Sequence, residues 1–309
     1  QDTGNVLTIT VSDASVVATE LDTLNGRTTG LVTLNATSIT GTRAEINATL
    51  ATAATEVTGL ASMNATASGT STVAEINVTS ALTTGAITAT ISDNDLATLD
   101  GLTDTGNVYT ISVTDTTVAA ATVNVLNGKT TGVVTLTSTN VTGALSDLKD
   151  MYDANTAGTI AGLGDEVLTV SDTGTISASD LNHVNGLTTG VITATGATTV
   201  TGTLEEIKTL YTANSSGTIS GLGDEAISIS DLGTVVSASD VTDIEALTTG
   251  VVTVALSGTT ITATSLNSLD ANSAQSVNAG GVAAMTGAAA DINTAYASSG
   301  ITGLGDEAV

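Results

Sequence analysis

Short alternations of β-branched and polar residues recur along the whole chain, and each group is followed by apolar residues spaced three or four apart. Leu168-Thr169-Val170 and Val191-Ile192-Thr193-Ala194 are one kind of stretch, and Gly174-Thr175-Ile176 and Thr199-Val200 are a second. Period-two alternation bounded by Gly, Asp and Ser predicts strands. The third part has helical spacing: Leu181/Val184, Val241/Ile244, Leu204/Ile207/Tyr211 and Leu145/Leu148/Tyr152. A hydroxyl residue followed three positions later by an acid precedes or opens these stretches at Thr19/Asp22, Thr42/Glu45, Thr72/Glu75, Ser92/Asp95, Ser177/Asp180, Thr203/Glu206 and Ser237/Asp240. That spacing lets the hydroxyl accept from the third helical amide while the acid reaches back to the capping residue, and it sets negative charge at the positive end of the helix. The pattern predicts a unit of strand, strand and short helix.

The units repeat. Gly162-Leu163-Gly164-Asp165-Glu166 returns at Gly221–Glu225 and at Gly303–Glu307. Leu-Thr-Thr-Gly stands at Leu82–Gly85, Leu187–Gly190 and Leu247–Gly250, with relatives at Arg27–Gly30 and Lys129–Gly132. A longer copy carries Asp2-Thr3-Gly4-Asn5-Val6 to Asp104-Thr105-Gly106-Asn107-Val108 and stays in register through Leu24-Asn25-Gly26 and Leu126-Asn127-Gly128. The period of about 22–35 residues, giving about eleven units, lies in the range of stacked repeat proteins. One such unit has too little apolar surface to stand alone. The expectation is a single continuous array over residues 1–309, with sub-blocks near 1–104, 105–166, 167–225 and 226–309. Its predicted class is mainly β: an elongated, β-solenoid-like array of β-β-short-helix units, with a trimeric β-fibre sharing one core as the competitor. Both ends cut through a unit, which predicts an excerpt of a longer polypeptide.

Composition narrows the function classes. Apolar residues make up 41% of the chain and the mean hydropathy is +0.34, too high for a disordered segment. There is no Trp, Phe, Pro or Cys, so thiol chemistry is excluded and the core must come from Val, Ile, Leu, Ala and four Tyr. A net charge of −26, with five basic residues scattered singly, argues against nucleic acid and anionic membrane as partners. No apolar run approaches the ~18–20 residues of a membrane span, so no membrane insertion is expected. The partners expected are further copies of the same repeat.

Two segments carry a resemblance. One unit opens with Thr199-Val200-Thr201-Gly202-Thr203-Leu204-Glu205-Glu206-Ile207 and closes with Ile219-Ser220-Gly221-Leu222-Gly223-Asp224-Glu225; the other runs Thr286–Tyr296 and closes with Ile301–Glu307. Both resemble repeats in very large secreted surface proteins of marine picocyanobacteria. The resemblance implies an extracellular coat, filament or adhesion role without enzymatic activity. Ala74-Glu75-Ile76-Asn77 and Asp180–Gly186 are also similar to a repeat of phage fibre proteins, which implies the alternative of a shaft segment in a trimeric tail or virion fibre.

Catalytic material is sparse. His183 is the only histidine and lies between Leu181 and Val184, where a solvent-facing helix residue is expected. Glu205-Glu206 has the pairing of a glycosidase, but Glu206 is already accounted for as a capping acid. The Gly-Leu-Gly-Asp-Glu loops lack the Lys and hydroxyl of a phosphate loop. They have two readings: tight turns with solvated acids, or calcium sites in which Asp165, Glu166, Asp224, Glu225, Asp306 and Glu307 offer carboxylates beside loop carbonyls. An adjacent unit would add Asp172 or Asp231, and Asp93 with Asp95 forms a further candidate pair. No cofactor is required by either reading. The Asn-x-Ser/Thr triplets, such as Asn35–Thr37, are given no role.

Overall fold

The computed structural model describes residues 6–51, 55–230, 238–273 and 276–305. In it the alternating stretches are strands and the spaced stretches are helices, yet their balance differs from expectation. Over the described residues the chain is α/β, 36% helical and 31% strand, with parallel sheets and eleven α-helices; it is neither mainly β nor a β-solenoid. The physical reason is how each element meets its own backbone bonds. A strand here borrows its bonds from the neighbouring repeats, so two residues suffice at Ile192–Thr193, which pairs on both sides. A helix must bond within itself, and the helix Leu204–Ser216 takes thirteen residues to do so. Most described strands are short and most described helices longer, which shifts the count toward helix.

The chain divides into two compact units, residues 1–139 with 150–163 and residues 140–149 with 164–309. In the first unit a three-stranded parallel sheet joins Ile9–Val11, Val32–Leu34 and Val57–Thr58. A seven-stranded sheet runs in the order Ile160–Ala161, Val134–Leu136, Val108–Val113, Ile87–Ile91, Asn64–Ser71, Ser38–Thr42, Ser15–Val17. In the second unit Asn140–Gly143, Val167–Val170, Ile192–Thr193 and Ile219–Ser220 pair in that order. A six-stranded sheet joins Thr175–Ser177, Thr199–Gly202, Ala226–Ile229, Val252–Thr262, Val277–Thr286 and Ile301–Thr302. The pairings within these sheets are parallel, each strand lying beside that of the next repeat.

This stacking builds apolar ladders. Val141, Leu168, Ile192 and Ile219 stand in register and are fully buried. Ile176, Val200, Ile227 and Val252 form another, and Ile111, Val134 and Ile160 a third. Alternation turns Thr169, Thr193 and Ser220 the other way, and the hydroxyls of Thr193 and Ser220 lie 3.3 Å apart. The helices close the core. Arg43–Ala51 packs on Ser38–Thr42 and Asn64–Ser71, with Ile46 and Leu50 buried. Burying one such aliphatic side chain contributes about 1.5–3 kcal/mol. Tyr109, Tyr152 and Tyr211 are also fully buried and are among the largest side chains of the core; burial pushes the Tyr109 hydroxyl up to about 12.

Candidate functional site

The Gly-Leu-Gly-Asp-Glu loops at 162–166 and 221–225 each bury a glutamate among polar partners. In the second of them, Gly221 has φ +88° and the chain turns back into the strand Ala226–Ile229. Asn214, on the helix Leu204–Ser216, clamps the loop with its side-chain nitrogen on the Leu222 carbonyl (3.2 Å). At the bend before the strand the two acids part: Asp224 is exposed and Glu225 is buried. The Glu225 Oε2 atom accepts from the Gly223 amide (2.8 Å) and from the Tyr211 hydroxyl (2.9 Å). Its Oε1 atom is buried with no hydrogen-bond partner among the described residues. Burial, then the Glu225 charge, raises the Tyr211 hydroxyl well above the ordinary tyrosine value, so Tyr211 stays a donor.

The loop Gly162–Glu166 repeats this arrangement. Asp165 is exposed, Glu166 is buried, and Glu166 Oε2 accepts from the Gly164 amide at 2.8 Å. Thus the two acids of a loop do not converge on one point. Asp306 and Glu307 lie outside the described residues, as does Asp231. Among the described residues no group of three or more His, Asp or Glu side chains is placed to hold a metal ion.

The loops Gly162–Glu166 and Gly221–Glu225 are each a socket for the Thr-Thr-Gly turn of the following repeat. Thr248 Oγ1 donates to the Glu225 carbonyl (2.7 Å) and accepts from the Gly250 amide (2.9 Å), while the Thr249 amide donates to the Gly223 carbonyl (2.8 Å). Gly250 sits so close that a Cβ there would run into the Glu225 carbonyl. The same turn elsewhere uses Thr28 on Leu7, Thr83 on Met63 and Thr130 on Tyr109. Sequence reasoning assigned these threonines no bond; the recurrence of Thr-Thr-Gly was the available signal.

The remaining acids mostly serve helix starts. Thr72/Glu75 and Thr203/Glu206 form complete reciprocal caps, and Thr42/Glu45 makes both bonds as well. Ser177 accepts from the Asp180 amide, and Asp95 is itself the cap of Leu96–Leu99. Thr19 does not cap, because the helix Ala18–Asn25 begins directly after Val17. Ser237 lies outside the described residues. Other acids cap the helix of a neighbouring repeat: Asp93 takes the Val73 amide (2.6 Å), Asp115 the Leu96 amide (2.7 Å) and Asp172 the Leu145 amide (2.7 Å). The structure therefore does not pair Asp93 with Asp95, nor bring Asp172 to a loop acid. Bonds to backbone amides lower the carboxyls of Glu45, Glu75 and Asp95 below their ordinary range.

Cations and amides also link repeats. Arg43 meets Glu75 at 2.8 Å, Lys129 meets Asp100 at 2.8 Å and Lys208 meets Asp240 at 2.7 Å, each pair about one unit apart in sequence. Asn77, Asn182 and Asn267 donate to backbone carbonyls of the next unit, at Gly101, Glu206 and Asp291. His183 is exposed on the helix Ala178–Asn185, and Glu205 stands exposed beside the capping acid Glu206. A cleft of about 460 Å³ lies between the turns around Thr83 and Gly106, lined by small uncharged residues and Asp104. No protein-family model matches the chain, and no characterised protein matches its sequence.

Proposed function

We propose that this chain is a non-enzymatic structural protein, a segment of an extracellular coat, filament or adhesin stalk built from stacked repeats. The observation that carries this reading is the destination of its reactive side chains. Thr248, Asp93, Asp115, Asp172, Arg43, Lys129 and Lys208 all bond to a neighbouring part of the repeat array. A catalytic group has to be held ready for substrate, whereas these are committed to joining one repeat to the next. Multiplying such joints along an acidic chain gives a load-sharing, soluble scaffold. Antibodies against the folded chain, applied to intact source cells, test the reading. Labelling of the outer surface supports it. Label confined to the interior of permeabilised cells contradicts it, and label restricted to virus particles favours a fibre instead.

A further inference from the structure

The cleft between the turns around Thr83 and Gly106 lies within the first compact unit and carries polar groups that the fold leaves unused. Asn107 forms part of its lining and is only 3% exposed. Its Oδ1 atom accepts from the Ile87 amide (2.7 Å), but its Nδ2 atom is buried with no hydrogen-bond partner among the described residues. A buried donor left unpaired is costly, and the cost is relieved by an acceptor brought from outside the chain. Asp104 stands exposed in the same lining; its Oδ2 atom takes the Ser80 hydroxyl, and its Oδ1 atom makes no bond. The exposed Thr105 hydroxyl makes none either. Burial first, and the Asp104 charge second, raise the Tyr109 hydroxyl, and the Asn107 amide faces that hydroxyl without closing a bond to it. Carboxylate, amide and phenol therefore gather at one end of the cleft.

From these groups we infer that the cleft binds a neutral sugar, with Asp104 and Asn107 holding adjacent hydroxyls of one ring. The chemistry of the lining selects the class by elimination. An anionic ligand meets Asp104 and a net charge of −26, and among the described residues no basic side chain lines the cleft. An apolar ligand finds only Ala86 and threonine methyls. An ammonium group suits the free Asp104 Oδ1 atom but has no acceptor for Asn107 Nδ2. A hydroxyl donates and accepts at once, so one hydroxyl gives its proton to Asp104 while its neighbour's oxygen serves the Asn107 donor, directly or through one bridging water. The volume of about 460 Å³ is in the range of small-molecule sites. A second cleft repeats the plan at another Thr-Thr-Gly turn: Asn25, three residues before Thr28 as Ser80 is before Thr83, bonds Glu56 at 2.6 Å beside about 380 Å³. This goes beyond the scaffold reading, since a stacked array needs no ligand.

Titration of the isotope-labelled chain, followed by its amide NMR signals, tests the site. The probes are D-glucose, D-galactose, D-mannose, L-fucose and N-acetyl-D-glucosamine, with spermidine as a cation. At least one sugar is expected to shift the Thr105, Gly106 and Asn107 amides and to saturate. Asp104→Ala should weaken that binding by about tenfold, the loss of a hydrogen bond to a charged group. Thr105→Trp, which fills the cleft from an exposed position, should abolish it. Asp165→Ala, at an exposed acid of the other compact unit, should leave it unchanged. Circular dichroism checks that each variant is folded, and the two cleft variants fail independently. No shift with any of the five sugars overturns the site, as does sugar binding indifferent to Asp104→Ala and Thr105→Trp. Shifts with spermidine alone overturn it too, since they make Asp104 a simple cation contact. Any of these results leaves the surface-labelling test of the scaffold reading untouched.

Discussion

Thr248 shows how much one side chain does in this chain. Its hydroxyl is buried, donates to the Glu225 carbonyl and accepts from the Gly250 amide, so two repeats share a single oxygen. Valine has nearly the same shape and no hydroxyl, so Thr248→Val takes this partner from a buried carbonyl and a half-buried amide. A cost of about 1–3 kcal/mol follows. Gly250→Ala fails for a steric reason, since its Cβ meets the Glu225 backbone, and overpacking of that kind costs about 1–3 kcal/mol. The neighbouring Thr249 is exposed, and Thr249→Ala should cost under about 0.5 kcal/mol. Urea denaturation of the three variants checks the order; a Thr249→Ala loss equal to the other two would contradict the geometry.

At the scale of elements, the short helices are held at their starts. Thr203→Ala removes a complete capping box and should destabilise by about 1 kcal/mol. Thr19→Ala, with the same sequence spacing, lies inside the first turn of its helix and should change stability little. Equal losses in the two melting curves would show that spacing alone, rather than helix start, decides. The caps also set a pH dependence. Glu45, Glu75 and Asp95 have carboxyls lowered by backbone amides. A lowered folded value stabilises above the ordinary value and is lost as pH falls through the folded one. In high salt, where mutual repulsion is screened, the melting temperature should hold down to the ordinary glutamate value of 4.5 and fall below it. A melting temperature unchanged down to about pH 3 would count against the caps. Much of this scale was legible beforehand. Leu204/Ile207/Tyr211 and Leu145/Leu148/Tyr152 announced their helices by spacing, and Thr72/Glu75 its cap. The helix-rich balance was not, because spacing does not reveal that a two-residue strand is enough when both neighbours supply its bonds. Nor could it show that Glu225 is buried and Asp224 exposed, since both are acids side by side in one turn.

For the whole molecule, we propose that the acids serve the fold rather than hold an ion. Asp93, Asp115 and Asp172 cap helices in neighbouring repeats, and Glu225 is enclosed with Tyr211 and Gly223. A net charge of −26 still makes the fold sensitive to ionic strength. Screening, however, does not distinguish one divalent ion from another, whereas a built site favours Ca²⁺ over Mg²⁺, which demands stricter octahedral geometry. An ion held by the loop would have to sit against Glu225 Oε1, so Glu225→Gln is the informative variant. The decisive measurement is the melting temperature of the wild-type chain and Glu225→Gln in CaCl₂, MgCl₂ and NaCl at one ionic strength. Closely similar shifts in the two divalent salts, carried over unchanged into Glu225→Gln, are the predicted result. A distinctly larger shift with Ca²⁺ that disappears in Glu225→Gln would contradict it and make the loops ion sites.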